Sequence, residues 1–171
     1  MLKQLFETKL TDTESTDIEG VGTLRYDEYG RVFRWVKNAE SAAFTAKQPV
    51  CYDVSDVGSI ALFQTVMTPV AADIMVAAGC AVTAIGASGA LCYGWVQCQG
   101  YFADAVIRTP KTAVIAVGSE MICEDAKTAL GFSVAPGTAP VYSKHFICLE
   151  AVATDGTGTA ATAADVYIKC L

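Results

Sequence analysis

Ser88, Asp125 and His145 follow one another in the order nucleophile, acid, base, and Gly86-Ala87-Ser88 opens the way a nucleophile elbow does. A small serine hydrolase can be sketched on them. Position 90 is Ala where the elbow needs Gly, however, and no alternating strand–helix pattern surrounds the serine. His145, the only histidine, sits in a strand-like stretch where a surface histidine is the plainer reading. Thr154 to Thr159 carries the D-x-T-G-T spacing of an aspartyl-phosphate nucleophile at Asp155. Such chemistry needs further acidic Mg²⁺ ligands and a phosphate-holding lysine, and none are in place, so a loop rich in Asp, Gly and Thr is expected instead. Seven cysteines (Cys51, Cys80, Cys92, Cys98, Cys123, Cys148 and Cys170) form no CxxC pair and share one histidine. Zinc sites favour short paired spacings, whereas a free Cys in an apolar stretch behaves as a small hydrophobe. The residues therefore predict no catalytic site, no metal and no cofactor: a non-enzymatic protein with buried, reduced thiols.

The totals narrow the class further. The chain has 171 residues, 53% of them hydrophobic and 18% charged, and its mean hydropathy is +0.38. One domain of this length buries a core without staples. Its charged share is below the usual quarter, so the excess apolar surface points to a subunit interface and a homo-oligomer. A net charge of -6 argues against nucleic acid, since phosphate binding needs clustered Lys and Arg. The one local group is Arg25, Arg31, Arg34 and Lys37, read as a solvated face or a carboxylate partner. Ile74 to Val96 is uncharged and long enough to span a bilayer, yet Gly79, Gly86, Gly89 and Gly94 interrupt it and no basic flank orients it. No membrane partner is expected. Glu7 and Lys9 break any secretory pattern, which places assembly in a cytoplasm.

Leu2, Leu5 and Phe6 have helical spacing, and the polar, acidic run Thr11–Glu19 follows. Residues 1–20 read as an arm with a linker, and residues 21–171 as a single β-rich domain. Asp27-Glu28-Tyr29-Gly30 is a hairpin turn between strands at Thr23–Tyr26 and Arg31–Lys37. A brief helical turn is expected over Ala39–Lys47, ended by Pro49. Further strands are expected at Val50–Val54, Ser59–Met67, Ile74–Ala78, Ala81–Ile85, Leu91–Gln99, Ala103–Arg108, Thr112–Val117, Val141–Ala153 and Asp165–Leu171, with a loosely periodic helix over Glu120–Leu130. Strands every ten residues or so, with Gly, Pro and Asp-Gly at the joints, predict an all-β fold, a β-sandwich or β-barrel with an extended N-terminal arm. No regular internal repeat is visible.

Two segments resemble a known group. Gly22 to Ala39, through Asp27, Gly30-Arg31, Phe33-Arg34-Trp35-Val36 and Ala39, is similar to the early hairpin of tailed-phage capsid decoration (cement) proteins, and Ser41–Pro49 resembles the Ala-rich turn after it. Tyr93-Gly94-Trp95-Val96-Gln97-Cys98-Gln99-Gly100 is similar to their mid-chain strand, in the same order along the chain. The resemblance covers about a third of the chain; the cysteines and acidic arm fall outside it. It implies a protein that binds the major capsid protein from outside the assembled shell, often as a trimer, and bridges capsomers. Its location would then be the virion exterior. Leu2, Leu5, Phe6 and Leu10 of the arm, with Trp35 and Trp95 of the resembling segments, are the expected interface residues. Alternatives are another virion part, such as a head fibre base or tail-tube protein, or the small serine hydrolase.

Overall fold

The structure, a computed structural model, describes residues 6–53, 64–69, 76–110, 112, 114–123, 128–132, 145–158 and 160–170. Met1–Leu5, Asp125, and parts of the strands expected at Val50–Val54, Ser59–Met67, Ile74–Ala78, Thr112–Val117 and Val141–Ala153 lie outside these, as does Leu171. The fold is all-β. Its strands are β1 (Thr13–Glu14), β2 (Leu24–Tyr26), β3 (Val32–Asn38), β4 (Pro49–Tyr52), β5 (Thr65–Met67), β6 (Ala77–Ala81), β7 (Tyr93–Arg108), β8 (Glu120–Cys123), β9 (Leu130–Phe132), β10 (Phe146–Cys148) and β11 (Ala161–Lys169).

The pairings close into two rings. β7–β6–β4–β5–β3 returns to β7, and β7–β9–β8–β10–β11 returns to β7. Each is a five-stranded barrel, and the 16-residue β7 belongs to both. Its first half pairs with β3 and β6, and its second half with β11 and β9. The passage from one barrel to the other falls at Gly100, whose φ of +98° only glycine adopts without strain. Closure leaves few free edges, and barrels this narrow are filled by side chains.

The two barrels are copies of one topology. β3 to β7 in barrel 1 correspond to β7 to β11 in barrel 2, with a parallel first–third pair and antiparallel pairs elsewhere in both. The correspondence reaches single hydrogen bonds. Lys47 N donates to Ala81 O as Gly118 N does to Cys148 O, and Ala81 N donates to Gln48 O as Cys148 N does to Ser119 O. The Phe44–Ile85 bridge matches the Ile115–Val152 bridge. Lys47 and Gly118, both with positive φ, occupy the same turn. An internal repeat therefore exists where the residues show none.

The interiors match by position and differ in side chain. Val36, Phe44, Val50, Tyr52 and Val66 of barrel 1 stand where Ile107, Ile115, Met121, Cys123 and Leu130 stand in barrel 2, all buried. Between the barrels lie Val32, Cys51, Ala77, Cys80 and Cys98, continuous with the core of barrel 2.

Several expectations are corrected. The ends of the helix expected over Glu120–Leu130 are strand, with residues 124–127 outside the described ones: Met121, Ile122 and Cys123 are buried in succession in β8, and Leu130 opens β9. Ala39–Lys47 forms bends held by the Phe44 bridge, without a helical turn. The two strands expected between Leu91 and Arg108 are one, and those at Ile74–Ala78 and Ala81–Ile85 are replaced by β6. Among its described residues, Thr112–Val117 holds only the Ile115 bridge. The Asp27 turn is as expected: its carboxylate accepts from Tyr29 N, Arg31 N and Arg31 Nε. No helix among the described residues is long and apolar enough to cross a membrane.

Gly79 is fixed by packing. Its φ is +131°, and a Cβ there would lie 1.9 Å from Gln97 O on β7. Gly79→Ala is expected to cost more than about 3 kcal/mol, whereas Gly89→Ala, at a φ of +88° in open space, costs about 1 kcal/mol. Urea unfolding of the two variants measures the difference.

Candidate interaction surface

Trp35 and Trp95 face each other across β3 and β7 as register partners, their rings 5.2 Å apart, and both are fully buried. They lie outside barrel 1, on its convex side, with Phe33 and the half-buried Tyr93 and Val82. What covers them is the arm. Phe6 meets Trp95 edge-on at 5.8 Å, Leu10 packs on the same cluster, and Arg25 lies 5.0 Å above the Phe6 ring. The indole N–H of Trp95 donates to Thr8 Oγ1 at 2.9 Å, and that of Trp35 donates to Asp17 Oδ1 at 3.0 Å. Thr8 in turn donates through N and Oγ1 to Glu19, and Arg25 Nη1 donates to Thr8 O. Thr13 and Glu14 add a short strand to β7 opposite Gly94 and Tyr93. Gly94 leaves the room: a Cβ would stand 2.8 Å from Ile85 and 3.3 Å from Thr13.

Trp35 and Trp95, two of the expected interface residues, are buried under the chain's own strap. Phe6 and Leu10 are spent on the same cluster, and Leu2 and Leu5 lie outside the described residues. Residues 6–20 belong to the domain, and the acidic run expected to be a linker supplies the acceptors that the buried indoles need.

The aromatics that do face solvent went unnoticed as a group. Tyr26, Tyr29, Tyr101 and Tyr167 are 66%, 76%, 46% and 39% exposed. Two lie on the first hairpin, where Arg31 lies over the Tyr29 ring and Tyr26 pairs with Val32, and two are the register partners Tyr101 and Tyr167 of β7 and β11. Asp165 accepts from the Tyr101 hydroxyl, and that hydrogen bond lifts the tyrosine pKa.

Ser88 and His145, two of the candidate catalytic residues, sit in different barrels. Ser88 N donates to Glu40 O in a loop of barrel 1, while His145 Nδ1 sits 3.2 Å from Lys169 O in barrel 2. Asp125 is outside the described residues. The Asp155 carboxylate accepts from Thr109 Oγ1, Thr157 N, Thr157 Oγ1, Gly158 N and Ala160 N. The Thr109 hydroxyl, then the Gly158 amide, hold it well below the usual carboxylate range. It staples the loop entering β11. All seven cysteines are buried and unbridged. Burial pushes the Cys98 thiol up to about 11, and Cys123, which shares a hydrogen bond with Cys51, is raised as well. Thiols held protonated in this way are poor nucleophiles. Among the described residues no cluster of His, Cys, Asp and Glu is arranged to hold a metal ion. No known family, curated protein or solved structure matches the chain.

Two outcomes test this surface. Thr8→Val, which strands the Trp95 N–H, is expected to cost about 2 kcal/mol in urea unfolding, against less than about 0.5 kcal/mol for the exposed Lys9→Ala. Asp155→Ala lowers the urea midpoint at neutral pH. Because its folded pKa is depressed, the carboxylate's contribution is full above the unfolded value of about 4 and fades as pH falls below it. The gap between Asp155→Ala and the parent therefore narrows in acid.

Proposed function

We propose that this protein is a non-enzymatic virion component, a decoration protein that binds the outside of a phage head through the major capsid protein and stabilises the shell by bridging capsomers. One observation carries the reading. The two segments that resemble decoration proteins, distant in sequence, are β3 and the first half of β7, joined at the Trp35–Trp95 pair. A likeness concentrated in register partners at the centre of a fold is what shared architecture would leave behind. A rigid double barrel with exposed tyrosines suits a bridging role, because aromatic side chains anchor protein contacts at small entropic cost. The acidic surface suits a place outside the DNA compartment.

The shell-facing surface in this reading is the tyrosine group around Arg31, rather than the arm. Purified protein added to expanded phage heads should co-sediment with them and raise their melting temperature. Tyr26→Ala with Tyr29→Ala should weaken binding on the order of tenfold or more while leaving the unfolding midpoint nearly unchanged. Removing residues 1–19 would uncover both tryptophans, so it is expected to unfold the domain as well as abolish binding. Failure to bind any expanded head would sink the proposal.

A further inference from the structure

The duplication leaves one lane filled in barrel 1 and, among the described residues, open in barrel 2. Asn38 N donates to Cys92 O, so by the antiparallel alternation Tyr93 and Trp95 turn their backbone groups away from β3. Val82 N takes Trp95 O, and the strap strand β1 takes the lane beside Tyr93 and Gly94. In barrel 2, Thr109 N donates to Ala160 O, which turns the N–H and C=O of Ala161 and Ala163 away from β7. Leu149 N takes Asp165 O, as Val82 takes Trp95. Beyond that bond no described residue occupies the lane, and Ala161, Thr162 and Ala163 are exposed.

Natural sheet edges are guarded by charge, proline or a covering element. Ala160–Ala164 has no charge and no proline. Beside it, Leu149 is 37% and Val117 65% exposed, whereas Val82, the counterpart of Leu149, lies packed under the strap.

We propose that this edge pairs with the same edge of a second copy, antiparallel about a two-fold axis at Thr162. Ala161 of each copy then faces Ala163 of the other, and the turned-out backbone groups satisfy one another. The edge is self-complementary in size, since alanines meet alanines. It is also complementary in charge. Its far end carries Asp165 and Glu150, and its near end carries Arg108, the register partner of Ala161. Antiparallel pairing sets the acidic end of each copy against the basic end of the other, twice. Val117 and Leu149 flank the joint and lose water with it. This inference does not depend on the capsid reading.

Sedimentation velocity of the full chain tests it, together with Ala163→Lys and Thr162→Cys. The parent should sediment as a concentration-dependent dimer. Ala163→Lys, which places two cations near the axis, should weaken dimerisation on the order of a hundredfold with an unchanged unfolding midpoint. Thr162→Cys should cross-link as a dimer in oxidised glutathione and separate in reductant. The parent should not, because its native thiols are buried. A monomeric parent would overturn the inference, as would a dimer or trimer indifferent to Ala163→Lys that gives no Thr162→Cys cross-link. Should Ala163→Lys fail to fold, the cross-link alone decides.

Discussion

Everything in this molecule depends on one strand serving two barrels. β7 carries β3 and β11 end to end along one edge, and β1, β6 and β9 along the other. Its backbone is therefore paired with five other strands, and neither barrel closes without it. The demand shows locally. Gly100 takes a positive φ where β7 passes between barrels, Asp104 takes one at the bulge against β11, and Asp165 holds that bulge through the Asp104 N–H. Gly79 brings β6 against β7 more closely than any side chain allows. The junction is filled with small thiols, which pack as compact hydrophobes where two sheets converge.

The strap is the second consequence. Closing barrel 1 leaves two tryptophans on its outer side, and their N–H groups need acceptors once the rings are covered. Thr8 and Asp17 supply them, and Glu19 holds Thr8. A segment too polar to build a core of its own is thus ordered by the partners it satisfies. Barrel 2 carries Val106 and Ala163 where barrel 1 carries the tryptophans, so it has no such cluster to cover.

Much of the β character was legible in the residues. Asp27-x-x-Gly30 set the first hairpin, alternation marked β3, and the cysteines lay in apolar runs that proved buried. The helix over Glu120–Leu130 was misread because a short run buried on both faces lacks a clear period. Trp35 and Trp95 were expected at an interface through the resemblance alone, and periodicity, which says which residues share a face, does not say what lies over it. The duplication was hidden for a different reason. Barrel interiors conserve filled volume rather than residue type, so Phe44 answers to Ile115 and Tyr52 to Cys123. The spacing stays constant from Val36 and Ile107 to Tyr52 and Cys123, and loops of unequal length break it beyond them. The interaction surface was least legible of all, since Tyr101 and Tyr167 become neighbours only through strand pairing.

The shared strand also sets an order of events on the ribosome. Barrel 1 is complete as soon as Gln99 has left the exit tunnel, because all of its strands precede that residue. The second half of β7 then emerges attached to a finished barrel, with its β3-side edge unclaimed until Ala161–Lys169 is made. The nascent chain thus carries its own template: β11 docks last, onto a strand already held straight by the earlier half.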